Sequence, residues 1–224
     1  MPRKNPKSII VGRKPIPKRI VLFSIIRDES GSMENWRDKQ GLFVPAIAER
    51  LRNAAGPNFI KTVFVQYTVI SGGFVSSEIG PLDEITDPTY TPNGSTPLGN
   101  ALTHATDKLQ KFYEEVVIPQ EITVRNFEIL LISDCIPAGE SIEDSKAGIE
   151  RFIRFAGSHH AKVSIVVPDD AAKSNGLIQF LNISDRPTKT LADNPDDLLN
   201  VTFESLYQAS RKIGNSNPAI RNGM

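Results

Sequence analysis

Short apolar runs alternate with amphipathic segments along this chain, and this alternation constrains the fold more than any other feature of the sequence. The runs at residues 20–26, 127–133 and 161–167 have the length and apolar character of buried strands. Strands separated by helical segments are typical of a parallel sheet with helices on both faces. The predicted fold class is therefore α/β, with a doubly wound, mostly parallel central sheet of Rossmann-like topology.

One pair of strands cannot follow the parallel arrangement. Residues 63–70 and 74–79 both look like strands, and only Ser71, Gly72 and Gly73 separate them. Three residues can form a tight turn, but they are too few for the crossover that parallel strands need. The pair is therefore predicted to be antiparallel. The sheet is expected to be mixed, with one antiparallel edge strand.

Three helices are predicted between the strands, over residues 40–53, 97–116 and 142–156. In the second helix apolar residues recur every three or four positions, which indicates a stripe that packs on the sheet. The third begins at Ser141 and Asp144, a pair that resembles a capping box. Its predicted apolar positions are Ile142, Ile149, Phe152, Ile153 and Ala156, and it is expected to end before Gly157.

The last quarter of the chain carries weaker patterns. They predict a short helical piece near residues 177–181, an edge strand near 188–191 and a last helix over 194–214. The expected organisation is one domain over residues 18–214. Residues 1–17 form a basic flexible tail in this interpretation, and residues 215–224 form a second tail.

Composition limits the possible functions. With 39% hydrophobic and 23% charged residues among 224, the chain suits one α/β domain rather than a disordered or fibrous protein. The first nineteen residues include seven basic residues and no acid. A basic arm can bind nucleic acid or an acidic partner, but interspersed prolines and the lack of aromatic residues favour a solvated tail. Nucleic acid is therefore not expected as a partner.

The cysteine count and the apolar runs bear on location. Cys135 is the only cysteine, which excludes an intramolecular disulfide and fits a reducing cytoplasm. No stretch approaches the ~20 apolar residues of a membrane span, and the basic amino terminus lacks the apolar segment of a signal peptide. A cytoplasmic protein without membrane contact is expected.

Side chains that carry oxygen stand at the ends of three predicted elements. Asp28, Ser30 and Ser32 follow the first strand, Thr96 stands where a loop becomes a helix, and Asp134 follows the strand at 127–133. Hard divalent cations take about six oxygen ligands, and ligands of α/β sheets bind at the carboxyl ends of the strands. These five residues predict a site for Mg²⁺, with Mn²⁺ and Ca²⁺ as alternatives.

Each motif also has a simpler explanation. Ser-Gly-Ser sequences are common in loops, and Thr96 before Pro97 is the pattern of a helix cap with proline at the first position. Asp134 is equally suited to cap the following helix. Each of the three motifs stands directly after a predicted strand or before a predicted helix, and this shared placement favours the metal site.

Taken together, the motifs resemble the von Willebrand factor type A domains. The metal-ion-dependent adhesion site of that family combines an Asp-x-Ser-x-Ser loop after the first strand, a Thr before a helix and an Asp after the fourth strand. The matching positions are Asp28, Ser30, Ser32, Thr96 and Asp134. The resemblance covers about residues 18–214 and is greatest to stand-alone bacterial members associated with tellurium resistance. Cys135 stands where many relatives have glycine. This difference bears on the conformation of the local backbone turn, not on the Asp134 carboxylate.

The resemblance implies a Mg²⁺-dependent protein-binding module that grips an Asp or Glu of another protein through its metal. It further suggests a bacterial stress or chemical-defence complex related to tellurium resistance. The charges of the predicted ligands are compatible with this function. Two carboxylates and neutral hydroxyls leave a divalent ion able to accept one more anionic oxygen. Two side chains near the metal loop, Met33 and Trp36, are either a contact rim or core, whereas Phe43 is expected in the core.

Two other functions stay open. A metal-dependent phosphate-ester hydrolase is one, although the Asp-x-Asp pattern of aspartyl phosphatases is missing because Ser30 replaces the second aspartate. His104, His159 and His160 form no recognisable catalytic set with a nucleophile, so no catalytic residue is assigned and no enzyme is expected. The other is a scaffold whose metal is purely structural.

Overall fold

Six strands form one sheet in the part of the chain that the computed structural model describes, which is residues 15–36, 43–85, 91–168 and 189–191. The order across the sheet is β3-β2-β1-β4-β5-β6. The strands are β1 (Arg19–Glu29), β2 (Val63–Ser71), β3 (Phe74–Pro81), β4 (Thr123–Ile132), β5 (Lys162–Pro168) and β6 (Lys189–Leu191).

All neighbouring strands are parallel except β2 and β3, which are antiparallel. The hairpin between these two turns at Gly72 and Gly73, whose φ angles of 61° and 76° suit the twist of a tight hairpin. The predicted mixed sheet and its antiparallel edge strand are confirmed. The short strand predicted near residues 188–191 is β6, at the opposite edge.

The helices lie close to the predicted positions. They are α1 (Phe43–Ala55), α2 (Pro57–Ile60), α3 (Leu98–Phe112) and α4 (Ile142–Ser158). A 3₁₀ segment (Gly31–Trp36) follows β1, and one π-helical turn (Tyr113–Val117) extends α3. None of the described helices has the length and apolar character that a bilayer span requires. The predicted helices near 177–181 and 194–214, the tail at 215–224 and most of the amino-terminal tail lie outside the described residues.

The core has two parts, one on each face of the sheet. Because side chains alternate along a strand, β1 sends Leu22 and Ile26 to one face and Phe23 and Ile25 to the other. Helices α3 and α4 cover the first face, whereas α1 and the fully buried Met33 cover the second. Helices on both faces confirm the doubly wound architecture. Met33 is core and not a contact residue, and the side chains of Trp36 and Phe43 lie outside the description.

The predicted buried face of α4 is wrong at two positions. Ile142 is 82% exposed and Ile153 is 37% exposed, and the helix continues past Gly157 to Ser158. The buried face is instead centred on small residues, which an apolar pattern does not detect. Its members are Ser145, Gly148, Ile149, Phe152, Phe155 and Ala156.

The amino-terminal cap of α4 is confirmed. The hydroxyl of Ser141 accepts a hydrogen bond from the backbone N–H of Asp144 at 3.0 Å. The same hydroxyl donates to the Asp144 carboxylate at 2.7 Å. The pair therefore fixes the first turn of the helix, as a cap at this position should.

Helices α3 and α4 touch through their backbones at two glycines. A Cβ placed on Gly148 would lie 2.1 Å from the carbonyl oxygen of Gly99, and one placed on Gly99 would lie 2.4 Å from the Cα of Ser145. Neither space admits a methyl group. The close approach positions the amino-terminal end of α3, which follows directly on Thr96.

We expect Gly148→Ala to destabilise the protein by about 1–3 kcal/mol, because the added methyl group forces the two helices apart. Gly157→Ala is the matched control on the same helix, since a Cβ there meets no atom within 4 Å. The control should be neutral or stabilising by up to ~1 kcal/mol, because alanine favours the helix. Urea unfolding of both variants measures the difference, and equal stability would contradict the helix contact.

Candidate metal site

The two predicted carboxylate ligands follow adjacent parallel strands. Strands β1 and β4 pair in parallel up to Arg27 and Ile132. Asp28 and Asp134 therefore lie at the same end of the sheet, where these two strands have their carboxyl ends. The strand order also reverses between these two strands, since β2 and β3 lie on one side and β5 and β6 on the other. Such a reversal is where α/β sheets bind ligands.

Asp28 is fully buried, and two donors hold its carboxylate. The backbone N–H of Ser30 donates to Oδ1 at 2.8 Å, and the hydroxyl of Ser133 donates to Oδ2 at 2.6 Å. The Ser133 hydroxyl also accepts from the N–H of Cys135 at 2.9 Å. Ser133 therefore orients the carboxylate from the β4 side. Sequence reasoning missed this role, for which a serine beside Asp134 at the strand end was the only signal.

The two serines of the first loop contact each other. The hydroxyl oxygens of Ser30 and Ser32 lie 3.0 Å apart, with Ser30 buried and Ser32 exposed. The loop is attached to the segment before α3, because the N–H of Gly31 donates to the carbonyl of Gly94 at 3.1 Å. Gly94 has a φ of 73°, and a Cβ there would lie 2.7 Å from the backbone of Gly72. Only glycine fits at this junction.

Thr96 and Asp134 complete the set. The carbonyl of Thr96, which is almost fully buried, accepts from the N–H of Ala138 at 2.8 Å, so the segment before α3 is attached to the loop after β4. The carboxylate of Asp134 accepts from the N–H of Ile136 at 3.0 Å and lies close enough to Asp28 to influence its charge. The structure thus brings the three motifs to one place. Their role as metal ligands stays a prediction.

Thr96 is not the cap of α3. The capping position is Pro97, which makes no side-chain bond to the helix. The carboxylate of Glu140 takes this role, since it accepts from the N–H of Gly99 at 2.7 Å and of Asn100 at 3.0 Å. The hydroxyl of Ser145 donates to the same carboxylate at 2.6 Å. The simpler explanation of Thr96 as a helix cap therefore fails.

No local pattern marks Glu140 in the sequence, because the backbone groups that it binds lie about forty residues earlier. Its negative charge stands at the positive end of α3, where the helix dipole favours it. Glu140 thus joins the loop after β4 to the start of α3. These hydrogen bonds therefore help to fix the position of Thr96 relative to that of Asp134.

Cys135 occupies a backbone conformation that favours glycine. Its φ is 58°, in the left-handed region, and its side chain is buried in the core. The turn that glycine makes in many members of the resembling family is therefore formed here with a cysteine. Burial, with smaller contributions from the charges of Asp134 and Asp28, raises the pKa of the thiol to about 12. The thiol is thus a small apolar core group and not a nucleophile.

The electrostatics of Asp28 suit a site for a divalent cation. Burial raises the pKa of its carboxyl group to about 6, hydrogen bonds from Ser133 and Ser30 oppose the rise, and the charge of Asp134 adds to it. No basic side chain of the described residues contributes to the balance. A divalent cation would supply the positive charge that the two acids lack.

The donor chemistry also suits a hard ion. Three or more His, Cys, Asp or Glu side chains do not cluster anywhere in the described part of the chain. The predicted donors are two carboxylates and neutral hydroxyls, all of them oxygen ligands. Arg27 lies on the opposite face of β1, over the ring of Tyr67, and pairs there with Glu29.

Solved structures similar to this chain share its fold. The pilus adhesin SpaC from Lactobacillus rhamnosus GG aligns with a TM-score of 0.62 and 14% identity, over 87% of this chain. The chain spans only 30% of the SpaC chain. The N-terminal domain of TFIIH p34 aligns with a TM-score of 0.54 and 14% identity, over 84% of this chain and 98% of that domain. At such identities these two likenesses show a common α/β fold.

The SpRpn10 VWA domain also aligns, with a TM-score of 0.48 and 12% identity, over 81% of this chain and 95% of that domain. No family model and no curated protein matches the sequence.

We expect Glu140→Gln to lower the free energy of unfolding by roughly 1–2 kcal/mol. A neutral amide with one carbonyl oxygen replaces a carboxylate that accepts two backbone hydrogen bonds at the end of a helix dipole. Glu143→Gln is the matched control, because Glu143 is an exposed acid in the first turn of α4. The control should lose no more than about 0.5 kcal/mol. Chemical unfolding compares the two, and an equal loss would refute the role of Glu140.

Proposed function

We propose that this chain is a metal-dependent protein-binding module. Its residues Asp28, Ser30, Ser32, Thr96 and Asp134 would hold Mg²⁺, and an acidic side chain of another protein would complete the coordination. The observation that carries the proposal is the pair of buried acids Asp28 and Asp134, placed together at the reversal of strand order. Among the described residues, the hydrogen-bond donors to Asp28 are neutral.

The charge balance supports binding of an external acid. Two carboxylates formally neutralise a divalent ion, while hydroxyl oxygens add no charge, so a bound ion supplies an acceptor for one more anionic oxygen. Ser32 is exposed, whereas Asp28, Ser30 and Thr96 are buried. The site is therefore closed on the side of the core and accessible from the side of Ser32, where a partner would approach.

The surroundings of the site support binding rather than catalysis. General acid–base chemistry most often uses histidine within hydrogen-bond reach of the substrate. His104 is exposed on α3, about two helical turns beyond Thr96. His159 and His160 follow the carboxyl end of α4, at the opposite end of the domain. The Cys135 thiol stays protonated. Among the described residues, neither a histidine nor a thiolate therefore stands beside the candidate metal ligands.

The biological setting follows from the sequence resemblance. The stand-alone bacterial members associated with tellurium resistance are the relatives that the motifs most resemble. We accordingly propose that the protein acts in a cytoplasmic stress or chemical-defence complex of a bacterium. Its partner there would be a protein that contributes an Asp or Glu to the metal.

We expect calorimetry to show one Mg²⁺ or Mn²⁺ bound per chain, and no detectable binding to Asp28→Ala. Ser133→Ala should weaken binding by about 10–100-fold, because the lost hydroxyl orients the Asp28 carboxylate. Ser158→Ala is the matched control, since its hydroxyl bonds only within the end of α4. Circular dichroism verifies that each variant is folded. Unchanged metal affinity in folded Asp28→Ala would rule out the assignment.

Removal of the metal distinguishes a binding site from a structural one. The ligands stand on loops above a separately packed core, so EDTA should leave the protein folded. The melting temperature should fall only by the amount that ligand linkage predicts, equivalent to about 2.7 kcal/mol at one hundred times the Kd. Complete unfolding in EDTA at room temperature would indicate a scaffold with a structural metal.

We expect a partner captured from a bacterial lysate to be released by EDTA, to bind again with Mg²⁺, and to be lost in Thr96→Ala. Thr103→Ala is the control on α3, because its hydroxyl bonds only to the carbonyl of Gly99. Millimolar acetate should compete weakly, since a lone carboxylate lacks the surrounding contacts of an interface. Equal capture by Asp28→Ala and the unmodified protein would show that the metal face is not the interface.

A further inference from the structure

Exposed apolar side chains are concentrated around the candidate metal site. Five large hydrophobic residues are exposed in the described part of the chain, and three of them border the site. These three, which we call the apolar rim, are Phe74 at 81% exposure, Ile136 at 47% and Ile142 at 82%. Ile118 lies at the other end of the sheet, and Ile153 lies on the outer surface of α4.

Backbone hydrogen bonds place Phe74 beside the site. Phe74 begins β3 directly after the hairpin turn. In that turn, the N–H of Gly72 donates to the carbonyl of Asn93 at 3.0 Å, and the N–H of Asn93 donates to the carbonyl of Glu29 at 3.0 Å. The hairpin tip is therefore attached to the segment before Thr96 and to the end of β1. Phe74 lies two strands from β1, about 10 Å away at the usual strand spacing.

The two isoleucines lie on the opposite side of the site. The N–H of Ile136 is bonded to the Asp134 carboxylate itself. Ile142 is the first residue of α4, directly after Glu140 and Ser141. Both follow β4, whereas Phe74 begins β3 on the other side of β1, so the rim flanks the metal position on two sides. An extended peptide that crosses the site would contact both sides.

The described loop segments beside the rim and the site hold uncharged small or polar residues, namely Gly73, Asn93, Gly94, Ser95, Pro137, Ala138 and Gly139. Acids are present next to them in the first turn of α4. All seven basic residues of the first nineteen stand in a segment without acids, so the rest of the chain is acidic overall. Long-range electrostatics therefore disfavour a polyanion on this face.

Isolated exposed hydrophobic residues are normal on protein surfaces. The apolar rim differs from such isolated residues, because its three members lie in or next to the loops that carry the candidate metal ligands. An isoleucine in the exposed first turn of α4 also gains nothing from packing, and β-branched residues are not favoured helix formers. Contact with a partner gives these positions a common explanation.

We propose that the partner segment carries a single Asp or Glu with apolar side chains two or three residues away on both sides. The acid would bind at the metal, one apolar side chain would contact Phe74, and the other would contact Ile136 and Ile142. This inference rests on the proposed function, because the metal site must hold the acid.

Two capped peptides test the proposal in the presence of Mg²⁺. One has the sequence Gly-Phe-Gly-Asp-Gly-Leu-Gly, and the other has serine in place of Phe and Leu. Fluorescence anisotropy of labelled peptides gives both affinities. The apolar peptide should bind at least about tenfold more tightly, since burial of one or two apolar side chains has an effect of that size.

Variants of the rim assign the difference to named side chains. Phe74→Ser and Ile142→Ser should each weaken the apolar peptide by about three- to tenfold, with little effect on the serine peptide. Ile118→Ser is the matched control, because Ile118 is 67% exposed and distant from the site, and it should change neither affinity. Calorimetry with Mg²⁺ should give the same metal affinity for all three variants.

The outcomes separate this proposal from the proposed function. If both peptides bind equally, or if the rim variants retain the preference, the apolar rim is not part of the interface. The metal-dependent function would still stand when EDTA and Asp28→Ala abolish binding of both peptides. Binding that survives EDTA would overturn the proposed function, and with it the partner chemistry. Failure of the apolar peptide to bind at millimolar concentration would overturn the inference alone if metal binding is intact.

Discussion

The parallel pairing of β1 with β4 is the constraint on which the rest of the structure depends. It brings together Asp28 and Asp134, which are more than one hundred residues apart in sequence, at the carboxyl ends of two adjacent strands. Burial, with a smaller contribution from the charge of Asp134, raises the pKa of Asp28 to about 6. The hydrogen bond from Ser133 crosses from β4 to Asp28 and opposes this rise. The fold therefore concentrates negative charge at a position where a cation would relieve it.

The helix pair α3 and α4 gives the site its second support. The backbones touch at Gly99 and Gly148, and Glu140 binds the first N–H groups of α3 from the loop before α4. A displacement of α4 would therefore move the start of α3 and the adjacent Thr96. Backbone contacts and a capping carboxylate therefore connect the loops of the site.

Individual residues show where sequence reasoning succeeded and failed. The stripe at Leu98, Leu102 and Leu109 packs as predicted, because apolar spacing reports directly on a helix face. The same rule failed at Ile142 and Ile153, since the face of α4 is set by the close approach at Gly148 and not by its apolar residues. It also missed Glu140 and Ser133, whose partners are distant along the chain.

The sequence by itself determined the strand and helix order, the antiparallel hairpin and the identity of the candidate ligands, because these depend on local periodicity and on residues close together in the chain. Only the tertiary structure decided how the three loops are joined, that Glu140 and not Thr96 caps α3, and that Cys135 adopts a left-handed backbone in the core. It also decided which apolar residues stay exposed around the site. These features depend on distances between residues that are remote in sequence, and such distances are fixed only when the sheet and its helices pack together.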